Sequence, residues 1–407
     1  MKKIILSLIL IGILKAFLDM PPAWRHRKLI WNEPVYTDWC YVGTWVASKG
    51  DTLIQVFSKY SLYEYQFLYF TVSQNGGFSW SPPSCLNPNE VHLVTYPKAA
   101  IDRNGYLYTA FSMLVGGWAG NVMVYGSGNL GTTWDYLYSD NGGTPWCAVK
   151  GDTFALVYVK SIEQISYIYF RYRDGNNPWS SLEQLISGHN PRIEIDANGY
   201  FYVFFFTDEG PKLAKRITHN QWNYYNFPET GIVVDRNRIM RADPQTPGII
   251  HFIYSSNNYI YYRRFENGTW TNPTPITGGT NADFVVEKGG KIYAVIANYA
   301  NNIYIMKYYV SNDNGNTWNY VGELYDSKSF CYEKNKRGRG LALIGTEMNN
   351  PYYDRAYYQG NDDFAISNKY NATAYNSNKH LVRVPNTDDL YMVFSMESDS
   401  QDVITAR

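Results

Sequence analysis

The chain carries little charge and no surplus of either sign: 18% of its 407 residues are charged, and 36 Lys and Arg balance 36 Asp and Glu. A balanced surface offers no basic field for nucleic acid or an anionic membrane, and so low a charge content excludes a coiled coil. Cysteine is scarce. Cys40, Cys85, Cys147 and Cys331 fall in no C-x-x-C or Cys/His spacing, so no metal site is expected, and they read as buried thiols. No motif calls for a cofactor. Beyond the first residues no apolar run approaches the length a membrane span requires, about 20 residues. What is abundant is aromatic and turn-forming: 39 Tyr, 12 Trp, 32 Gly and 18 Pro. That texture is many short strands joined by turns.

Met1-Lys2-Lys3 followed by the apolar run Ile4–Leu14 has the form of a secretory signal peptide, with cleavage expected after Ala16. The expected organisation is a signal peptide over 1–16 and a single domain over 17–407. The protein is therefore expected outside the cytoplasm: extracellular, periplasmic or on the cell surface.

Internal repeats set the expected fold. Ile101-Asp-Arg-Asn-Gly-Tyr-Leu-Tyr108 recurs as Ile195-Asp-Ala-Asn-Gly-Tyr-Phe-Tyr202, and Lys49-Gly-Asp-Thr-Leu53 as Lys150-Gly-Asp-Thr-Phe154. In each copy a turn feeds an alternating β-branched and aromatic run, a hairpin signal. The ends of these runs, Phe57, Phe111, Tyr158, Phe205, Tyr254, Ile296, Ile344 and Phe394, recur about every 48 residues. A second ladder, Trp31, Trp80, Trp134, Trp179, Trp222, Trp270 and Trp318, has rungs 43 to 54 residues apart. Four-strand units of this period, closed into a ring, describe an all-β β-propeller. Eight blades are favoured over seven. The segment 24–36, around Lys28–Pro34, is expected to complete the last blade as its outer strand, against Val403–Arg407.

Three of the tryptophans end a sharper motif, S-x-[DN]-x-G-x-[ST]-W: Ser73, Asn75, Gly77 and Trp80; Ser127, Asn129, Gly131 and Trp134; Ser311, Asp313, Gly315 and Trp318. The hydroxyl and carboxamide or carboxylate can bond turn amides, Gly takes a backbone that a Cβ forbids, and Trp buries a large face. The motif resembles the Asp-box, or bacterial neuraminidase repeat, of sialidase-like propellers, across the whole of 24–407. In that family the Asp-box lies away from the catalytic face, so the resemblance implies a structural role for these residues. It also implies enzymes with an early Arg-Ile-Pro segment, which is absent here, since Arg192-Ile-Glu follows its Pro. No sialidase turnover is expected.

In a propeller the innermost strands surround a central channel, and they are expected just ahead of each hairpin. The candidate residues at those places are Asp38, Trp39, Tyr96, Trp146, His189, Arg192, Arg241, Asp283, Glu333, His380 and Arg383. Arg192, Arg241 and Arg383 are candidates to converge on a carboxylate, because a guanidinium binds one bidentately. Asp38 with Asp283 or Glu333 are candidates for the carboxylate pair of a glycosidase, and His189 or His380 with a Tyr for the base and acid of a polysaccharide lyase. Lys334–Arg339 reads as a solvated loop. Asn267-Gly-Thr269 and Asn371-Ala-Thr373 match the glycosylation sequon. The expected partner is a carbohydrate or an extracellular protein. Recognition of a glycan by the channel face is the first reading, hydrolase or lyase activity on acidic carbohydrate the second, and a purely structural propeller the third.

Overall fold

A computed structural model describes residues 28–29 and 44–406, apart from the segments 61–65, 78, 87–92, 116–118, 234–237, 301–302, 324–328, 336–337, 348–349, 363–379, 384–389 and 396–402. Among the described residues there are strands and turns and no α-helix, hence no helix that could cross a membrane.

Six blades follow one another in the chain. Their innermost strands are Thr44–Lys49, Leu93–Ile101, Gly143–Lys150, His189–Ile195, Met240–Ala242 and Asn281–Val286, each running on into an antiparallel sheet. Adjacent inner strands lie against one another in chain order. The circuit is completed by a sheet in which Ser329–Asn335 packs against both Asn281–Val286 and Thr44–Lys49 and continues through Gly338–Glu347 and Asn350–Asp362 to Lys28–Leu29. The expected eight-bladed ring does not form, because the circuit closes as soon as Ser329–Asn335 meets Thr44–Lys49. The eighth repeat, around Phe394, belongs to a second compact unit (residues 1–25, 337–339 and 360–407), where His380–Arg383, Leu390–Ser395 and Val403–Ala406 make a three-stranded sheet. Lys28–Leu29 does take an outer-strand place, but its partner is Tyr357–Tyr358 and not Val403–Arg407.

The repeat ladders mark real positions. Phe57, Phe111, Tyr158, Phe205, Tyr254 and Ile296 all lie on the second strands of their blades and are buried. Burying one such side chain contributes about 1.5–3 kcal/mol, and the same contribution recurs in blade after blade around the ring.

The three Ser-to-Trp turns share one hydrogen-bond pattern. Ser73 Oγ accepts from Gly77 N (2.9 Å) while Asn75 Oδ1 accepts from Ser79 N (2.8 Å). The same bonds join Ser127 to Gly131 and Asn129 to Thr133, and Ser311 to Gly315 and Asp313 to Thr317. Gly77, Gly131 and Gly315 all have φ between 82° and 95°. In two of them the following Trp reaches the preceding blade: Trp134 meets Phe70 edge-on at 5.1 Å, and Trp318 meets Tyr262 at 5.6 Å. These two turns therefore fasten one blade to its neighbour, on the side where the inner strands end.

Candidate functional site

The inner strands of the second, third and fourth blades share a local device. Tyr96-Pro97-Lys98, Thr144-Pro145-Trp146 and Asn190-Pro191-Arg192 each sit at a shift in strand register. The residue before each proline, barred from the right-handed helical region, has φ of 53°, 49° and 51° respectively. A bulge of this kind re-aims the side chain that follows it, here Lys98, Trp146 and Arg192.

These three share a place with Trp45 and Asp283. Trp45, Lys98, Trp146, Arg192 and Asp283 pair with Val56, Ala110, Val157, Phe204 and Val295, each one residue ahead of a buried anchor. They form one tier of side chains around the axis, toward the starts of the inner strands. Arg238, just before Met240–Ala242, and Cys331, on Ser329–Asn335, join this tier by contact. Arg238 donates to Val46 O (3.0 Å) and to Cys331 Sγ (3.4 Å).

Two indoles organise the tier. Trp45 and Trp146 meet edge-on at 4.8 Å, and Trp45 Nε1 donates to Ala99 O (3.1 Å). The Lys98 ammonium lies 4.3 Å from the Trp45 ring and 4.7 Å from the Trp146 ring. Each indole also carries a guanidinium: Arg238 stands 3.9 Å from Trp45 and Arg192 4.0 Å from Trp146. All three cations are buried, at 4%, 7% and 4% exposure for Lys98, Arg192 and Arg238, and Asp283 is wholly buried. Contact with an indole face is worth about 2 kcal/mol once desolvated, which offsets part of the cost of burial. Burial, together with Arg192 and Arg238, brings the Lys98 amine down to about 7, although Cys331 and Cys147 pull the other way.

The residues singled out from the sequence fall as follows. Arg192, Trp146 and Asp283 are in this tier. Arg241 is half-buried on Met240–Ala242 and donates from Nε to Phe284 O (3.0 Å), tying the fifth blade to the sixth. Tyr96 is half-buried at the bulge, and His189 is exposed with its ring 5.7 Å from Phe206. Glu333, His380 and Arg383 lie on described strands, but their side chains are outside the described set, as are Asp38 and Trp39 altogether. Sequence reasoning missed Lys98, Arg238 and Trp45. The available signal was the X-Pro dipeptide ahead of Lys98, Trp146 and Arg192 at the repeat period.

A second polar cluster lies at the other ends of the strands. His251 accepts from or donates to Tyr262 Oη at 2.7 Å through Nδ1 and meets Asp243 Oδ2 at 3.2 Å through Nε2. Beside it, between the fifth and sixth blades, is a cavity of about 260 Å³ walled by Gln245, Arg264, Gly289 and Asn314. Burial opposes ionisation of Asp243, yet bonds from His251 and from the Thr246 and Gln245 amides outweigh it and hold the carboxyl at about 2. Burial lowers His251 below its usual value, with Asp243 opposing. An ionised Asp243 therefore accepts a hydrogen bond from Nε2–H, and Tyr262 donates to Nδ1. Both ring nitrogens are occupied, so this histidine is a brace within the blade. Among the described residues no group of three or more His, Cys, Asp or Glu is arranged to hold a metal ion.

No family model matches the chain, and no curated protein matches its sequence. Solved structures do resemble it. An α-L-arabinofuranosidase of Fusarium graminearum, solved with arabinobiose, is 11% identical, with a TM-score of 0.51 over 82% of this chain and 97% of that one. A polysaccharide lyase, an ulvan lyase, is 11% identical, with a TM-score of 0.53 over 83% and 95%. A sialidase of Trypanosoma rangeli solved with sialic acid is more distant, at a TM-score of 0.46 and 10% identity over 70% and 58%. At these identities the likeness is one of fold: the β-propeller, shared with carbohydrate-active proteins.

Proposed function

We propose that this chain is an exported, sialidase-like propeller that recognises an acidic glycan at the tier of Lys98, Arg192 and Arg238. The observation that carries the reading is the gathering of three buried cations around two indoles on consecutive inner strands. A carboxylate or sulfate is attracted to such a cluster, and guanidinium groups bind it by charge-assisted hydrogen bonds. Indole faces complement the apolar face of a sugar ring. The arabinofuranosidase and lyase likenesses support a carbohydrate ligand without naming it. The Ser-to-Trp turns support membership of the Asp-box superfamily, and Met1–Ala16 supports export. Asp283 is the one acid among the tier positions whose side chains are described, whereas glycoside hydrolysis uses two, so hydrolysis is the weaker reading.

Affinity electrophoresis through gels containing polygalacturonate, alginate, hyaluronan or neutral dextran tests this. At least one acidic gel is expected to retard the protein, dextran is not, and Arg192→Ala and Arg238→Ala are each expected to abolish the retardation. Equal mobility in all gels, or retardation that survives both substitutions, refutes it. A fluorogenic sialoside is expected to stay uncleaved.

A further inference from the structure

We propose that the tier is a lyase centre in which the Lys98 amine removes the proton next to the carboxylate of a bound uronate. This rests on the acidic-glycan reading above and adds chemistry to it.

Three features distinguish Lys98 from a lysine that merely binds an anion. It is buried, and its one hydrogen-bond acceptor among the described residues is the carbonyl of its own neighbour Pro97, at 3.3 Å. Among the described residues, the charged groups that act on it most are Arg192 and Arg238, which lower its pKa, and Cys331 and Cys147, which raise it. Its nitrogen stands against two indoles, surfaces that solvate an ammonium less well than water does. Desolvation and two like charges favour the neutral amine and bring its titration down toward neutral pH. A general base works best when it titrates near the working pH.

The neighbours complete the arrangement. Each guanidinium shares an indole with Lys98, Arg238 on Trp45 and Arg192 on Trp146. A uronate carboxylate drawn to either guanidinium brings its α carbon, C5 of the sugar, toward the amine. The lone pair of Lys98 takes the C5 proton, and negative charge spreads onto the carboxylate oxygens, where the fixed guanidinium charge stabilises it. That electron pair then forms the C4–C5 double bond as the C4–O bond to the leaving sugar breaks. The leaving oxygen receives the proton back from Lys98. The products are a 4,5-unsaturated uronate and a sugar hydroxyl, and no oxidant, reductant or water is consumed.

The assay follows the ultraviolet absorbance of the conjugated product from polygalacturonate, alginate and hyaluronan across a pH series. One of these polymers is expected to yield product, with kcat/KM rising as pH passes through about 7 and Lys98 loses its proton. Lys98→Arg keeps a cation that cannot deprotonate near neutral pH. It is expected to remain retarded in the affinity gel while product formation falls about 10²–10⁴-fold. Lys98→Met suits the indole walls and serves as the second variant; it is expected to melt like the parent and to form no product. Retardation of the parent without any unsaturated product overturns the lyase centre and leaves the binding reading standing. Loss of both retardation and product removes both. Product formed by Lys98→Arg at the parental rate overturns the role given to Lys98.

Discussion

Gly131→Ala measures how strongly the Ser-to-Trp turns join the blades. Gly131 has φ +85°, and a Cβ there would stand 2.5 Å from Phe70 Cε2 on the preceding blade. Two effects add. A left-handed backbone penalises any Cβ by about 1–2 kcal/mol, and forcing a methyl into a filled contact costs about 1–3 kcal/mol more. Gly199 is the control, because its φ of +86° is nearly the same while a Cβ there would meet nothing within 4 Å. Gly199→Ala should therefore lose only the backbone part, about 1–2 kcal/mol, and Gly131→Ala about 2–5 kcal/mol in all. The assay is urea unfolding followed by Trp fluorescence, with both variants compared at one slope. Phe70→Leu, which removes the ring, should narrow the gap between Gly131→Ala and its own background. If Gly131→Ala and Gly199→Ala lose the same stability, the turn is local decoration and the inter-blade argument is wrong.

Further outcomes are expected elsewhere. Glu183 is wholly buried and accepts from Arg216 (2.8 and 2.9 Å), Trp222 Nε1 (3.0 Å) and Asn220 N (3.1 Å); Glu183→Ala should cost about 3–5 kcal/mol by stranding Arg216, read as a shift in urea midpoint. Because burial depresses His251, the unfolded chain binds its proton first, so this residue's contribution is intact above about pH 6.5 and declines as pH falls below it. The urea midpoint of His251→Gln should fall less than the parent's between neutral pH and about pH 5; parallel profiles would count against the brace. Starting the chain at residue 37 instead of 17 removes Lys28–Leu29 from its ladder with Tyr357–Tyr358 and should lower the melting temperature; an unchanged melting curve would show that this pairing adds nothing to ring stability.

The propeller was legible because its information is local and repeated. An Asn-Gly or Gly-Asp turn followed by alternating apolar residues specifies a hairpin wherever it occurs, and Phe57, Phe111, Tyr158 and Phe205 do sit where that pattern puts them. The motif turns were equally legible, since Ser311, Asp313 and Gly315 bond within a few residues of one another. Blade number is different in kind. Phe394 carries the same local signal as Phe57, yet whether a repeat joins the ring depends on when the first and last inner strands meet, and Thr44–Lys49 meets Ser329–Asn335 first. The site divides in the same way. Arg192 could be nominated because it precedes a hairpin, and Lys98 fits the same description. What singles out Lys98 is that Trp45 and Trp146, 53 residues before it and 48 after it, converge on its amine. Sequence by itself determined strands, turns and period, because those follow from neighbours along the chain. Only the closed ring decided the blade count, the meeting of three cations on two indoles and the burial of Lys98, because packing and charge act through space between strands that the chain keeps far apart.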